Sequence, residues 1–451
     1  MTMTNPKKLS LFAITWPLFI ESSLQVFMRT SDTFIVSHVS DEAVAAVGVS
    51  NQLIIFLFLL LQVISTGSAI VISQYLGANK IRDVKQFAAG AISLNCLFGF
   101  IISLCIVCFS KQLLQPFGLE ADTLEQARIF LSIVGGALFI QAVNLTIAAI
   151  TQVHGYTRYT MAVSLGVNLL NLTGSILFIY GPFGFPKLGI PGVAISAVCS
   201  QSLGLIIYVL LLKKIVRLNL SFSDFYKARF ADMKKILTIG IPTAGSQLVY
   251  SISQLLTTYF ITQLGAEMLS TRIYTQNIMT FIIVLAVSLG RGTQIIIGRL
   301  VGAGEKEEAY RQLFRSLLLS LLLSLTAVTL TVIFGKQLIG LFTDNVGIIA
   351  LGTFLLTFGF LLEPVRCLNI VIGEALRAAG DARFILVIGA ASILGLSVPL
   401  TYWIGVHLGY GLVGMWGVFI MDEGLRGLLL LLRWRSKAWE KKALVYREEA
   451  T

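Results

Sequence analysis

The sequence predicts an all-α integral membrane protein: twelve transmembrane helices in two six-helix lobes. Three observations carry that reading. Of 451 residues, 56% are hydrophobic and only 13% are charged, about half the charged share of a soluble domain, so a water-exposed surface cannot be built. Apolar runs close to the ~20 residues that cross a bilayer recur from end to end. The second half also repeats the first at an offset of 225 residues. Pro17 meets Pro242, "GSAIVISQYLGAN" at 67–79 meets "GTQIIIGRLVGAG" at 292–304, and "FSKQL" at 109–113 meets "FGKQL" at 334–338. "NLTIAAITQVHGYTRY" at 144–159 meets "NIVIGEALRAAGDARF" at 369–384, after which the register shifts by three and "GIPGVA" at 189–194 meets "GLVGMW" at 411–416. Six spans per half give both lobes the same orientation, a parallel repeat about a pseudo-two-fold axis along the membrane normal. Transporters so built bind substrate between lobes that rock.

In order, the expected spans are 10–36, 46–72, 87–110, 128–150, 160–181, 189–213, 236–262, 271–298, 314–335, 347–374, 384–406 and 411–432. The basic patch before the first run imitates a signal peptide. No small-residue cleavage site follows and the run is too long, so it is read as a span that stays. Lys80, Arg82 and Lys85 follow span 2, and Lys213, Lys214, Arg217, Lys227, Arg229, Lys234 and Lys235 follow span 6. The tail adds Arg433, Arg435, Lys437, Lys441, Lys442 and Arg447, whereas the alternate loops are poor in Lys and Arg. By the positive-inside rule both termini are cytoplasmic. The expected organisation is a lobe at 10–213, an interfacial linker at 214–235, a second lobe at 236–432 and a tail at 433–451. The net charge of +11 is thus topology rather than a nucleic-acid surface.

Several chemistries are excluded. The five cysteines lie inside apolar spans without metal-ligand spacing and read as packing residues. No GxxxxGK[ST] loop is present, so direct ATP hydrolysis is unsupported. His38, His154 and His407 are isolated. The expectation is a non-enzyme without cofactor, and uphill transport would draw on an ion gradient.

The informative residues are polar ones at membrane depth, where a charge costs at least ~2.5 kcal/mol. In span 1, Glu21, Gln25, Met28 and Asp32 fall within about 40° of one another on a helix. Function competes there with an interfacial location for Asp32 and a structural ion pair for Glu21. Asn168, Asn171 and Ser175 form a second stripe, as cavity lining or as helix–helix glue. In the second lobe Glu363 and Arg366, with Asn369 beyond them, lie near mid-membrane. Asp422 and Glu423 precede Arg426 by one turn. These charges, too, are open to a structural or a functional reading, and Pro364 permits a break. Glu374, Arg377 and Asp381 approach the cytoplasmic end as an interfacial cluster. Across the repeat Glu21 matches Ser246, Asp32 matches Thr257, Glu363 matches Leu138 and Glu423 matches Gln201. The halves have diverged mainly at ionisable positions.

These residues together resemble the multidrug and toxic compound extrusion (MATE) family of secondary transporters. The resemblance rests on "WPLFIE" with Asp32, "AAVGVSNQ" at 45–52, and the 67–79 motif with its copy. "ALRAAGDARF" at 375–384 and "MDEGLRG" in span 12 complete it. It implies export of small organic cations from the cytoplasmic (inner) membrane, in exchange for inward H⁺ or Na⁺, by a protein expected to be monomeric in the lipid bilayer. It also carries the family's ion-coupling aspartate onto Asp32. The acidic residues some branches hold in spans 5 and 7 are absent, since Ser175 stands at the span 5 position. The coupling group is then Asp32 or Glu21, with Glu363, Asp422 or Glu423 serving the second lobe. Asn51 or Asn171 would add amide oxygens if Na⁺ binds at Asp32. A flippase or exporter of a lipid-linked or anionic metabolite shares the wider architecture and is the competing reading, favoured by a basic cavity.

Overall fold

A computed structural model describes residues 10–37, 40–184, 186–221, 224–225 and 229–445, with the side chains of 29–34, 37, 41 and 183 outside that description. Among the described residues there is no β-strand. The first half contains α1 (Leu11–Ser37), α2 (Asp41–Gly77), α3 (Ile81–Leu114), α4 (Ala121–Gly136), α5 (Leu138–Val153), α6 (Thr157–Tyr180) and α7 (Ile190–Lys214). The second contains α8 (Phe230–Thr262), α9 (Ala266–Gly302), α10 (Lys306–Ile333), α11 (Val346–Thr357), α12 (Gly359–Ala378), α13 (Ala382–His407) and α14 (Gly411–Arg435).

Eight of these helices are long and apolar enough to cross a membrane, and two bent pairs raise the number to ten. The other two expected spans are α8 and α14, of 33 and 25 residues. Both are long enough at 1.5 Å per residue. Hydroxyl and amide residues dilute α8, and Asp422, Glu423 and Arg426 sit in the middle of α14. Phe27, Leu104, Leu255 and Leu322 are among many large apolar side chains left exposed, a surface suited to lipid rather than water. Cys105, Cys108 and Cys199 lie on that exposed surface instead of being packed. Only Cys367 is buried, against the Ser324 hydroxyl at 3.0 Å.

The spans expected at 128–150 and 347–374 are each two helices, bent by 42° between α4 and α5 and by 50° between α11 and α12. Gly135 and Gly136 precede the first break, where helix propensity is lowest. The second falls at Phe358, not at Pro364, which lies inside α12. The proline ring crowds the carbonyl four residues earlier, Phe360, so the strain is relieved beside the break. In α13, π turns at Ile393–Ser397 and Trp403–His407 flank Pro399, which has no N–H to donate.

The chain divides into two compact units. One comprises Trp16–Ile72 and Lys80–Gly240; the other comprises Met1–Thr15, Ser73–Asn79 and Ile241–Thr451. The boundaries at 15/16 and 240/241 fall just before Pro17 and Pro242. In the first unit an apolar core runs from Val36 through Leu61, Leu131 and Leu138 to Ala194. Asn95 is its polar hub, its Nδ2 donating to Thr146 Oγ1 at 2.7 Å and to the Ala142 carbonyl at 3.0 Å. The first turns of α8 complete this unit. Gly67 lies so close to them that a Cβ there would stand 2.3 Å from the Ile236 carbonyl oxygen.

In the second unit the core gathers Ile261, Met279, Leu355, Met415 and Trp416. The last turns of α2 and α9 cross with reciprocal glycines. A Cβ on Gly77 would stand 1.9 Å from the Arg299 carbonyl oxygen, and one on Gly302 would stand 1.8 Å from that of Gln74. Gly77 and Gly302, like Gln74 and Arg299, are repeat-equivalent, so the two contacts are copies of one another. Gln74 Nε2 donates to the Ala378 carbonyl at 2.6 Å, and its Oε1 accepts from the Leu444 amide at 2.8 Å. The tail thereby folds back over these turns. It is held also by Trp439 stacked on Trp434, with ring centroids 4.3 Å apart.

Candidate functional site

In the first unit two adjoining cavities of about 270 Å³ and about 180 Å³ share Gln25, Phe58, Gln141, Val167, Asn168 and Gln201 in their walls. Together they reach the lower end of the roughly 300–1,000 Å³ typical of small-molecule sites. The span 1 stripe points there: Gln25 lines both, Met28 the larger and Glu21 the smaller. Asn51, Asn168 and Asn171 also line the larger cavity. Asp32 belongs to α1, but its side chain lies outside the described residues, and so does any Na⁺ contact it makes. Ser175 is buried and does not reach the cavity wall. Its hydroxyl makes no hydrogen bond, and neither does the Oδ1 of Asn171 one turn earlier.

The polar part of an otherwise apolar wall is thus a set of amides around one described carboxylate. Glu21 Oε2 accepts from Thr160 Oγ1 at 3.2 Å and from Gln152 Nε2 at 3.3 Å. Both donors reach it from other helices, α5 and α6. Asn144 Nδ2 donates to the Gln201 carbonyl at 2.9 Å and to Gln201 Oε1 at 3.1 Å, while Asn144 Oδ1 has no hydrogen-bond partner. Buried polar oxygens without donors are rare and suit a ligand N–H or a hard cation. Sequence reasoning missed Gln141, Asn144, Gln152, Thr160 and Tyr208 as neighbours of this space. Amide side chains at mid-span were the available signal. No group of three His, Cys, Asp or Glu able to hold a metal ion occurs among the described residues.

The second unit carries the other predicted set, brought together as an ion-pair network. Arg366 pairs with Glu363, whose side chain is fully buried and whose Oε2 has no partner. Arg426 bridges Asp422 at 2.7 Å and Glu423 at 3.1 Å. Asn369 Nδ2 donates to Glu423 Oε2 at 2.5 Å, and Ser392 donates to Asp422 at 2.5 Å. Asn369–Glu423 is the repeat copy of Asn144–Gln201, with a carboxylate replacing an amide. One hydrogen-bond position has thus been kept in both halves while its charge diverged. Glu374 pairs with Arg377 at 2.5 Å and accepts from Gln294 at 2.6 Å; Asp381 instead meets Arg433 at 2.8 Å.

Comparison with known proteins bears on this arrangement. The MatE family model matches residues 17–177 and again 242–403. YisQ of Bacillus subtilis (strain 168), described as an uncharacterized transporter, is 42% identical over 438 residues, 97% of this chain and 96% of its own. The probable multidrug resistance protein NorM of Thermotoga maritima is 26% identical over 441 residues, 97% of this chain and 94% of its own. A solved outward-facing multidrug resistance MATE family transporter of the MOP superfamily superposes with a TM-score of 0.88 at 20% identity. It covers 97% of this chain and 98% of that one, and so shares the fold.

Proposed function

Because this chain belongs to the MatE family of membrane transporters, we propose that it exports cationic amphiphilic organic compounds in exchange for inward H⁺ or Na⁺. The observation that carries the reading is Glu21, a carboxylate in the wall of an amide-lined cavity. A carboxylate there can hold an organic cation or a coupling ion but not both at full charge. Competition for one charge, combined with alternating access, makes an antiporter. The amides hydrogen-bond varied ligands without adding charge, which suits a broad substrate range. Asp32, eleven residues further along α1, is the second coupling candidate from the first half. The Glu363, Asp422 and Glu423 network is the candidate set of the second.

The placement of Lys and Arg supports a cytoplasmic-membrane protein with both termini inside; we take the monomer as the working unit. Ethidium efflux from vesicles under an imposed pH or Na⁺ gradient tests the reading. Glu21→Gln should lower the initial rate at least tenfold, and Asp32→Asn should act likewise if it shares the coupling role. Normal pumping by both variants would remove the α1 carboxylates from the mechanism. A wild type driven by neither gradient would end the cation-export reading.

A further inference from the structure

Arg272 of the second unit stands outside its ion-pair network. Arg272, on α9, is 8% exposed. Its one hydrogen bond in the described structure is donated by Nη1 to Thr258 Oγ1, at 2.5 Å. No described carboxylate lies within its electrostatic reach, only the Tyr250 phenol. Buried guanidinium groups are ordinarily paired, because an uncompensated charge inside a protein is costly. An arginine held without a counter-charge is therefore poised for one that arrives with a ligand. Its planar fork favours an oxyanion bound through two parallel N–H groups.

The repeat says where this arginine stands. Arg272 is the copy of Val47 and Tyr250 the copy of Gln25, and both Val47 and Gln25 line the larger cavity of the first unit. The duplicated scaffold therefore uses these two positions as ligand-facing wall in one half. In the other half it fills them with a guanidinium and an aromatic ring. Tyr250 is 38% exposed, and its hydroxyl accepts from Gln254 Nε2 at 3.2 Å. The same phenol lies within electrostatic reach of Arg366, Arg426 and Glu423. Those two arginines are already committed to carboxylates, which leaves Arg272 as the available cation.

We propose that Arg272, with Tyr250 and Gln254, forms an oxyanion-recognition site in the second unit that takes the carboxylate or phosphate of a transported aromatic amphiphile. The inference rests on the export reading and names the residue that would recognise an acidic group on a substrate. Tetramethylrhodamine, a zwitterion, and its methyl ester, a cation of nearly the same shape, form the test pair. Fluorescence anisotropy would measure binding of both to the full-length protein in detergent. Wild type should prefer the free carboxylate by about tenfold or more, the value of a charge-assisted hydrogen bond. Arg272→Gln should bring the ratio of affinities close to one, and Arg272→Lys should retain part of it. An unaltered melting temperature in Arg272→Gln would exclude a folding defect.

Equal wild-type affinities, or a preference that survives Arg272→Gln, would overturn the assignment. So would a preference that disappears in nanodiscs containing phosphatidylglycerol, since the arginine would then serve a lipid phosphate. Gradient-driven efflux of the methyl ester by wild type checks the export reading separately. If wild type binds neither dye and moves none, that reading fails and takes this proposal with it.

Discussion

Replacing Gly302 by alanine should show whether the crossing of α2 and α9 depends on backbone-to-backbone contact. The new Cβ would stand 1.8 Å from the Gln74 carbonyl oxygen, 2.6 Å from its carbon and 2.8 Å from its Cα. All three are backbone atoms, so no side-chain rotation can relieve the clash. The helices would have to part by more than about 1 Å to restore ordinary contact distances, opening a gap along the crossing. Overpacking of this kind costs about 1–3 kcal/mol, and here the lower bound applies only if α9 can slide. Gly77→Ala poses the same problem from the other side, at 1.9 Å from the Arg299 carbonyl oxygen. Separation that relieves one clash relieves the other, so the double variant should cost less than the sum of the singles. Gly417→Ala in α14 is the control, since nothing lies within 4 Å of its added Cβ. It should be neutral or stabilise by up to ~1 kcal/mol, the helix-propensity gain. Thermal melting followed by tryptophan fluorescence in detergent measures all four. A Gly302→Ala variant as stable as Gly417→Ala, or strict additivity of the pair, would refute the crossing geometry.

Two further outcomes follow from the second unit. Arg366→Met should destabilise by about 3–5 kcal/mol because it strands the fully buried Glu363 charge. The double variant Glu363→Leu/Arg366→Met should lose much less, and denaturant titration of both decides it. Trp439→Ala removes a fully buried ring stacked on Trp434 and should cost about 3–5 kcal/mol locally. Faster tryptic cleavage at Lys441 and Lys442 would report release of the tail; an unchanged digestion pattern would mean that the Leu444–Gln74 hydrogen bond and the Lys306–Glu440 and Lys437–Glu307 ion pairs retain it without the ring.

The sequence by itself determined the helical class, the duplication and the membrane setting, but not the two bends that split the spans at 128–150 and 347–374. Each is a local or periodic property, readable from apolar run length and from a constant offset between polar landmarks. It also put Glu21, Gln25 and Met28 on one face of α1, because residues that share a helix face do so whatever the helix packs against. The i,i+3 pair Glu363–Arg366 was legible for the same reason. Only the tertiary structure decided what those faces meet. Gln152 and Thr160 reach Glu21 from 131 and 139 residues away, and Asn369 reaches Glu423 from 54. Such partners are chosen by how closely helix backbones approach, which depends on glycines such as Gly67, Gly77 and Gly302. The periodicity of one helix carries no record of that approach. Arg272 went unnoticed for that reason: its spacing resembles that of any interfacial arginine. What marks it is burial without a carboxylate, a property of the packed helices around it.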